Sequence, residues 1–130
     1  MSEEVLIASL ERIAEKAGDP SPLVYERLFR EQPEMEELFI MDTDGAARGN
    51  MFQQFIESIL DLQGEGYFAK GLLQTEVLNH NGIGVPPDVF RTFFAVTLAT
   101  FRDIMGDEWT GEVAAAWDGL EARFDKVLAA

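Results

Sequence analysis

Residues 20–39 read Pro20-Ser21-Pro22-Leu23-Val24-Tyr25-Glu26-Arg27-Leu28-Phe29-Arg30-Glu31-Gln32-Pro33-Glu34-Met35-Glu36-Glu37-Leu38-Phe39, and this stretch decides the fold. Ser21 supplies a capping hydroxyl, and Pro22 follows at the first helical position, where a missing N–H costs nothing. Val24 and Leu28, with Tyr25 and Phe29 beside them, recur at helical spacing. Pro33 ends that helix and restarts a short helical turn through Met35, Leu38 and Phe39.

The same grammar extends in both directions. Upstream, Val5, Leu6, Leu10, Ile13 and Ala17 follow the 3.6-residue period until Gly18-Asp19-Pro20 stops it. Downstream, residues 42–50 read as a loop, with helix beginning near its end. The cleanest stripe follows: Phe52, Phe55, Ile56, Ile59 and Leu60, spaced i, i+3, i+4, i+7, i+8. Gly64 and Gly66 break it. A further helix spans roughly Tyr67 to His80, and Asn81-Gly82 suits a left-handed C-cap. Pro86-Pro87-Asp88 opens a long helix bearing Phe90, Phe93, Phe94, Leu98 and Phe101, which Gly106 ends. Thr110 caps a last helix with Val113, Trp117, Leu120, Phe124 and Val127. No alternating strand pattern or repeat interrupts the series. The expectation is an all-α fold of about six to seven helices around one core, with residues 1–130 as a single domain.

Composition narrows the function. Asp plus Glu number 24 against 10 Lys plus Arg, a net charge of −14. Such a surface repels phosphate backbones and anionic lipid, so no nucleic-acid partner and no membrane partner is expected. No apolar run reaches transmembrane length. Met1-Ser2-Glu3-Glu4 is acidic where a signal peptide is basic. The absence of cysteine fits a reducing compartment, and the expected location is cytoplasmic. The single histidine, His80, excludes a multi-histidine metal site.

The run from Tyr25 to Phe39 resembles bacterial single-domain globins and the haem domain of flavohaemoglobins. Those proteins carry a tyrosine on the second helix, Leu-Phe one turn on, a proline starting the short third helix and a phenylalanine after it. Here these are Tyr25, Leu28-Phe29, Pro33 and Phe39. His80-Asn81-Gly82-Ile83-Gly84-Val85 is similar to the family's segment around its iron-binding histidine. Gly106 through Trp117 is similar to its join between the last two helices, with Met105 where leucine is common.

The resemblance implies a globin-like fold holding haem b, with His80 as the proximal iron ligand and the other axial position open to O₂, NO or CO. It implies that Phe39 stacks against the porphyrin edge and that Val85 and Phe90 line the proximal side. It implies that Tyr25 points its hydroxyl at the gas ligand. The distal residue on the next helix stays open. Met51-Phe52-Gln53-Gln54 resembles a pattern in which Gln54 faces the ligand, but this puts Ser58 where the family has an apolar residue. The hydrophobic stripe argues instead for Phe55 or Met51. Phe90 stands where flavohaemoglobins use a tyrosine to buttress the proximal histidine. Glu76, one turn before His80, is expected to replace that buttress in part. Arg48 and Lys70 are candidates to pair with haem propionates, against the plainer reading that both sit in water.

Three functions follow from the resemblance. The first is reversible binding of a diatomic gas. The second, ranked lower, is oxidation of NO to nitrate with electrons from a separate reductase, since these residues leave no room for a flavin or nicotinamide domain. The third is a haem-free regulatory or interaction module. A homodimer stays open.

Overall fold

The computed structural model describes residues 2–39, 41–64, 67–82, 85 and 87–129. They form six α-helices and two 3₁₀ turns. The helices are α1 (Ser2–Ala17), α2 (Ser21–Glu31), α3 (Ala46–Gln63), α4 (Tyr67–Gly82), α5 (Pro87–Met105) and α6 (Gly111–Ala129). The 3₁₀ turns are Pro33–Phe39, between α2 and α3, and Gly106–Glu108, between α5 and α6. No strand occurs among the described residues. The all-α expectation therefore holds.

Helix ends differ from the sequence reading where side chains reach backward. Ser21 is the first residue of α2 and not its cap. Its N–H and its hydroxyl both donate to the Asp19 carboxylate, at 3.0 Å each. Helix α3 starts at Ala46, well inside the expected loop, because two aspartates before it receive its free N–H groups. Asp44 accepts from Ala46 N–H at 3.0 Å, and Asp42 from Ala47 and Arg48 N–H at 3.1 and 3.0 Å. Helix α4 runs through Gly82, so the expected Asn81-Gly82 cap is the helix's last turn. Two stops behave as read. Gly18 and Gly106 take φ of +69° and +56°, which a side chain disfavours, at the ends of α1 and α5. Thr110 Oγ1 accepts from Val113 N–H at the start of α6. The expected break at Gly66 and the first proline of Pro86-Pro87 lie outside the described residues.

The core forms where α1 packs on α5 and α6, α2 on α3 and α5, and α3 and α4 on each other and on α6. Leu6 and Ile13 of α1, Ile59 of α3, Phe94 and Phe101 of α5, and Trp117, Leu120 and Phe124 of α6 are fully buried. Trp117 is the largest of these, and its N–H needs a partner once removed from water. It donates to Ser9 Oγ at 2.9 Å, and the Ser9 hydroxyl donates to the Leu6 carbonyl at 2.7 Å. This joins α1 to α6. Helices α2, α3, α4 and α5 stand around a cavity.

Candidate functional site

The cavity measures about 580 Å³, within the range of small-molecule and cofactor sites. Helix α2 contributes Tyr25 and Leu28, and the first 3₁₀ turn contributes Met35, Leu38 and Phe39. Met51, Gln54, Phe55 and Ser58 come from α3, Leu72, Leu73, Glu76 and His80 from α4, and Val89, Phe90 and Phe93 from α5; Val85 lines it between the last two. The structure thus brings all six sequence-predicted residues, Tyr25, Phe39, Gln54, His80, Val85 and Phe90, to one cavity.

Its walls are aromatic. The Tyr25 ring lies 5.4 Å from Phe39, 5.6 Å from Phe93 and 5.9 Å from Phe29. Phe90 sets its ring 4.9 Å from His80 in an edge-on arrangement and stacks on Phe124 at 6.3 Å. These contacts hold the cavity's walls in fixed orientations.

Tyr25 is 2% exposed, yet its hydroxyl has no hydrogen-bond partner. A buried hydroxyl left unpaired costs about 1–3 kcal/mol, so this group marks a place where a partner belongs. Burial raises its pKa above the ordinary tyrosine value, and the Arg48 charge only partly opposes this. The hydroxyl therefore stays a donor at neutral pH.

His80 Nδ1 lies 2.7 Å from the Glu76 carbonyl oxygen. A carbonyl only accepts, so Nδ1 carries a proton, and in the neutral ring the lone pair is on Nε2. That tautomer is the one a metal ion needs at Nε2. The Glu76 carboxylate is 3.6 Å from the same nitrogen, beyond hydrogen-bond reach, so the backbone orients the ring. Val85 N–H donates to the His80 carbonyl at 2.8 Å, a long closing bond of Schellman type. Ile83 and Gly84 of the resembling segment lie outside the described residues.

Along α3, the cavity receives Met51, Gln54, Phe55 and Ser58, one helical face. Phe55 is half-buried and also packs against the core, with its ring 4.9 Å from Phe93 and 5.5 Å from Phe94. Ser58 is 2% exposed and donates to the Gln54 carbonyl at 2.8 Å. Its hydroxyl is thereby satisfied inside the helix, which explains a serine at a position where an apolar residue is expected.

Sequence reasoning missed Asp42. Its carboxylate is 6% exposed, lines the cavity and accepts from Arg48 Nε at 2.9 Å. Burial works against its charge, but the N–H groups of Arg48 and Ala47 and the Arg48 guanidinium hold its pKa below the ordinary value. Arg48 also donates to the Asp42 carbonyl at 3.1 Å. Arg48 is therefore engaged by Asp42, and Lys70 is exposed and does not line the cavity. The signal for Asp42 was its place two residues before Asp44 in a Gly-containing loop that leads into a helix.

A family model of globins matches residues 23–128. The match spans most of the chain, and the chain belongs to the globin family. No curated protein matches it. The family implies haem, and the residues present fit that group: an apolar slot of adequate size, an imidazole whose Nδ1 is held by a backbone carbonyl, and a tyrosine in the cavity wall whose buried hydroxyl has no partner.

Proposed function

We propose that this globin holds haem b in the cavity between α2, α3, α4 and α5 and binds O₂ or another diatomic gas reversibly. When bound, the haem would supply an iron that can take up a diatomic gas. His80 would hold the haem iron through Nε2, with its ring oriented by the Nδ1–H bond to the Glu76 carbonyl. Tyr25 donates a hydrogen bond to the gas ligand, which strengthens with the negative charge that ligand carries. Gln54 is its polar companion on α3, since Phe55 is locked among Phe93, Phe94 and Phe124. Phe39, Val85 and Phe90 hold the flat ring and keep water out.

The observation that carries this reading is Tyr25: its hydroxyl is buried and unpartnered, and the residue lines the same cavity as a histidine whose Nδ1 is held by a backbone carbonyl. The test is gas titration of haem-loaded, reduced protein. Reversible spectral change on adding and removing O₂, at one gas per chain, supports the reading. Rapid consumption of NO with nitrate as product, driven by added reductase, replaces it with an NO-oxidising enzyme. Folded protein that takes up no haem replaces it with a haem-free module.

A further inference from the structure

A second cavity, of about 600 Å³, lies against the other face of α3. Along that helix Ala47, Met51, Gln54 and Ser58 line the first cavity, Gly49, Phe52, Gln53 and Ile56 line the second, and Ala46 lines both. From Ala46 to Ser58, α3 is therefore a partition one helix thick. Leu10 and Ile13 of α1, with Pro20 in the turn after it, form the far side of the second cavity.

The lining divides by polarity. Its polar side chains, Asp19, Asp44, Asn50, Gln53 and Glu57, are all exposed, whereas Ile13 and Phe52 are buried and Leu10 and Ile56 half-buried. The three carboxylates already accept from neighbours in the chain: Asp19 from Ser21, Asp44 from Ala46 N–H and Glu57 from the Gln53 amide. No lining residue brings a buried polar side chain to the floor, so a guest seated there gains nothing by hydrogen bonding. Such a floor suits a small apolar molecule better than water, which needs two or more polar partners. Phe52 links this floor to the first cavity. Its ring, 6% exposed, lies 6.4 Å from Phe55 and 6.5 Å from Phe93, both of which line the first cavity.

We propose that the second cavity is a holding site for a small apolar gas and that the Phe52 ring is the gate through which the gas passes to the first cavity. The proposal rests on the gas-binding reading. A diatomic gas is small and uncharged, so it partitions from water into the apolar floor. The carboxylate rim turns anions away. Passage needs one side chain to move and leaves the α3 backbone in place.

The probe is xenon, a small apolar atom that does not bind iron. Its binding is read from methyl NMR signals of the protein with and without haem. Leu10, Ile13 and Ile56, which line the second cavity and not the first, are expected to shift saturably with xenon pressure, while Ile59, which lines neither, stays in place. Gly49 is the position to fill, since a side chain there has open space, with no atom within 4 Å of its Cβ. Gly49→Phe is expected to abolish the xenon shifts and to slow CO association with the haem-loaded, reduced protein ~3-fold or more. Gly49→Ala, which raises helix propensity with little bulk, is expected to change neither readout by more than ~2-fold. Phe52→Leu, which removes the ring, is expected to speed CO association ~3-fold or more. Wild-type protein without xenon shifts at Leu10, Ile13 and Ile56 overturns the proposal. So does xenon binding with CO association unchanged in both Gly49→Phe and Phe52→Leu, which gives the cavity to an apolar molecule unconnected with the iron. Wild-type protein that takes up no haem overturns the gas-binding reading instead, and the xenon shifts of that protein still decide whether the second cavity holds an apolar guest.

Discussion

Replacing Tyr25 by phenylalanine acts in opposite directions on stability and on gas binding. The ring is retained, with its contacts to Phe29, Phe39 and Phe93, and only the hydroxyl is lost. In the haem-free protein that oxygen is buried and unpartnered, a desolvation cost of about 1–3 kcal/mol that phenylalanine does not bear. Tyr25→Phe is therefore expected to stabilise the haem-free protein by roughly 1–2 kcal/mol. For a chain of 130 residues, unfolding entropy converts each kcal/mol into about 4 °C, so Tm rises by about 4–8 °C. On the proposed reading, the same hydroxyl donates to the gas ligand in the haem-loaded protein. A hydrogen bond to a partly ionic acceptor contributes about 1.5–3 kcal/mol, and each 1.4 kcal/mol is tenfold. Loss of the bond is expected to speed O₂ release about 10- to 100-fold, with a much smaller effect on CO, which carries little charge. Thermal unfolding followed by circular dichroism reads the first effect, and stopped-flow displacement of O₂ by CO the second. A haem-free variant less stable than wild type, or O₂ release unchanged in the loaded variant, refutes the reasoning.

Asp42→Ala removes the acceptor of the Ala47 and Arg48 N–H groups and of the Arg48 guanidinium; a loss of about 1–2 kcal/mol is expected, with faster amide exchange at Ala47 and Arg48 than at Ile59. Trp117→Ala empties the centre of the core and leaves Ser9 Oγ without its donor; a loss of about 3–5 kcal/mol is expected in urea unfolding. Glu108 is held at about 2 by Arg12 and Lys16, below its ordinary 4.5. Its folded pKa is depressed, so its contribution is present above the ordinary value and is lost as pH falls from 4.5 toward 2; Glu108→Gln is expected to flatten the stability profile in that window, read from urea midpoints across a pH series.

The helices were legible because burial imposes a period. Phe52, Phe55, Ile56, Ile59 and Leu60 can all turn inward only on a helix, and α3 carries them. The ends were less legible because the capping acceptor stands at a distance. Asp42 serves N–H groups five and six residues later, and Asp19 serves Ser21 through a tight turn; neither geometry follows from local propensity. At the cavity, residue types at family spacing located Tyr25, Phe39 and His80 before any coordinates. The choice among Met51, Gln54 and Phe55 was not legible, since positions three and four apart share a helical face. All three line the cavity, and Phe55 also packs against Phe93 and Phe94. Ser58 read as a polar misfit because its bond to the Gln54 carbonyl is invisible in one dimension. Glu76 meets His80 through its backbone oxygen at 2.7 Å as well as through the carboxylate the sequence suggested, which stands farther off at 3.6 Å.

The most direct test of the central claim is the visible absorption spectrum of purified protein supplied with haem, recorded beside His80→Ala. The account predicts an intense haem band in wild type, at one haem per chain, and its loss or displacement in the variant while helical circular dichroism is unchanged. A folded wild type without that band, or identical bands in both proteins, contradicts the assignment of His80 as the axial ligand.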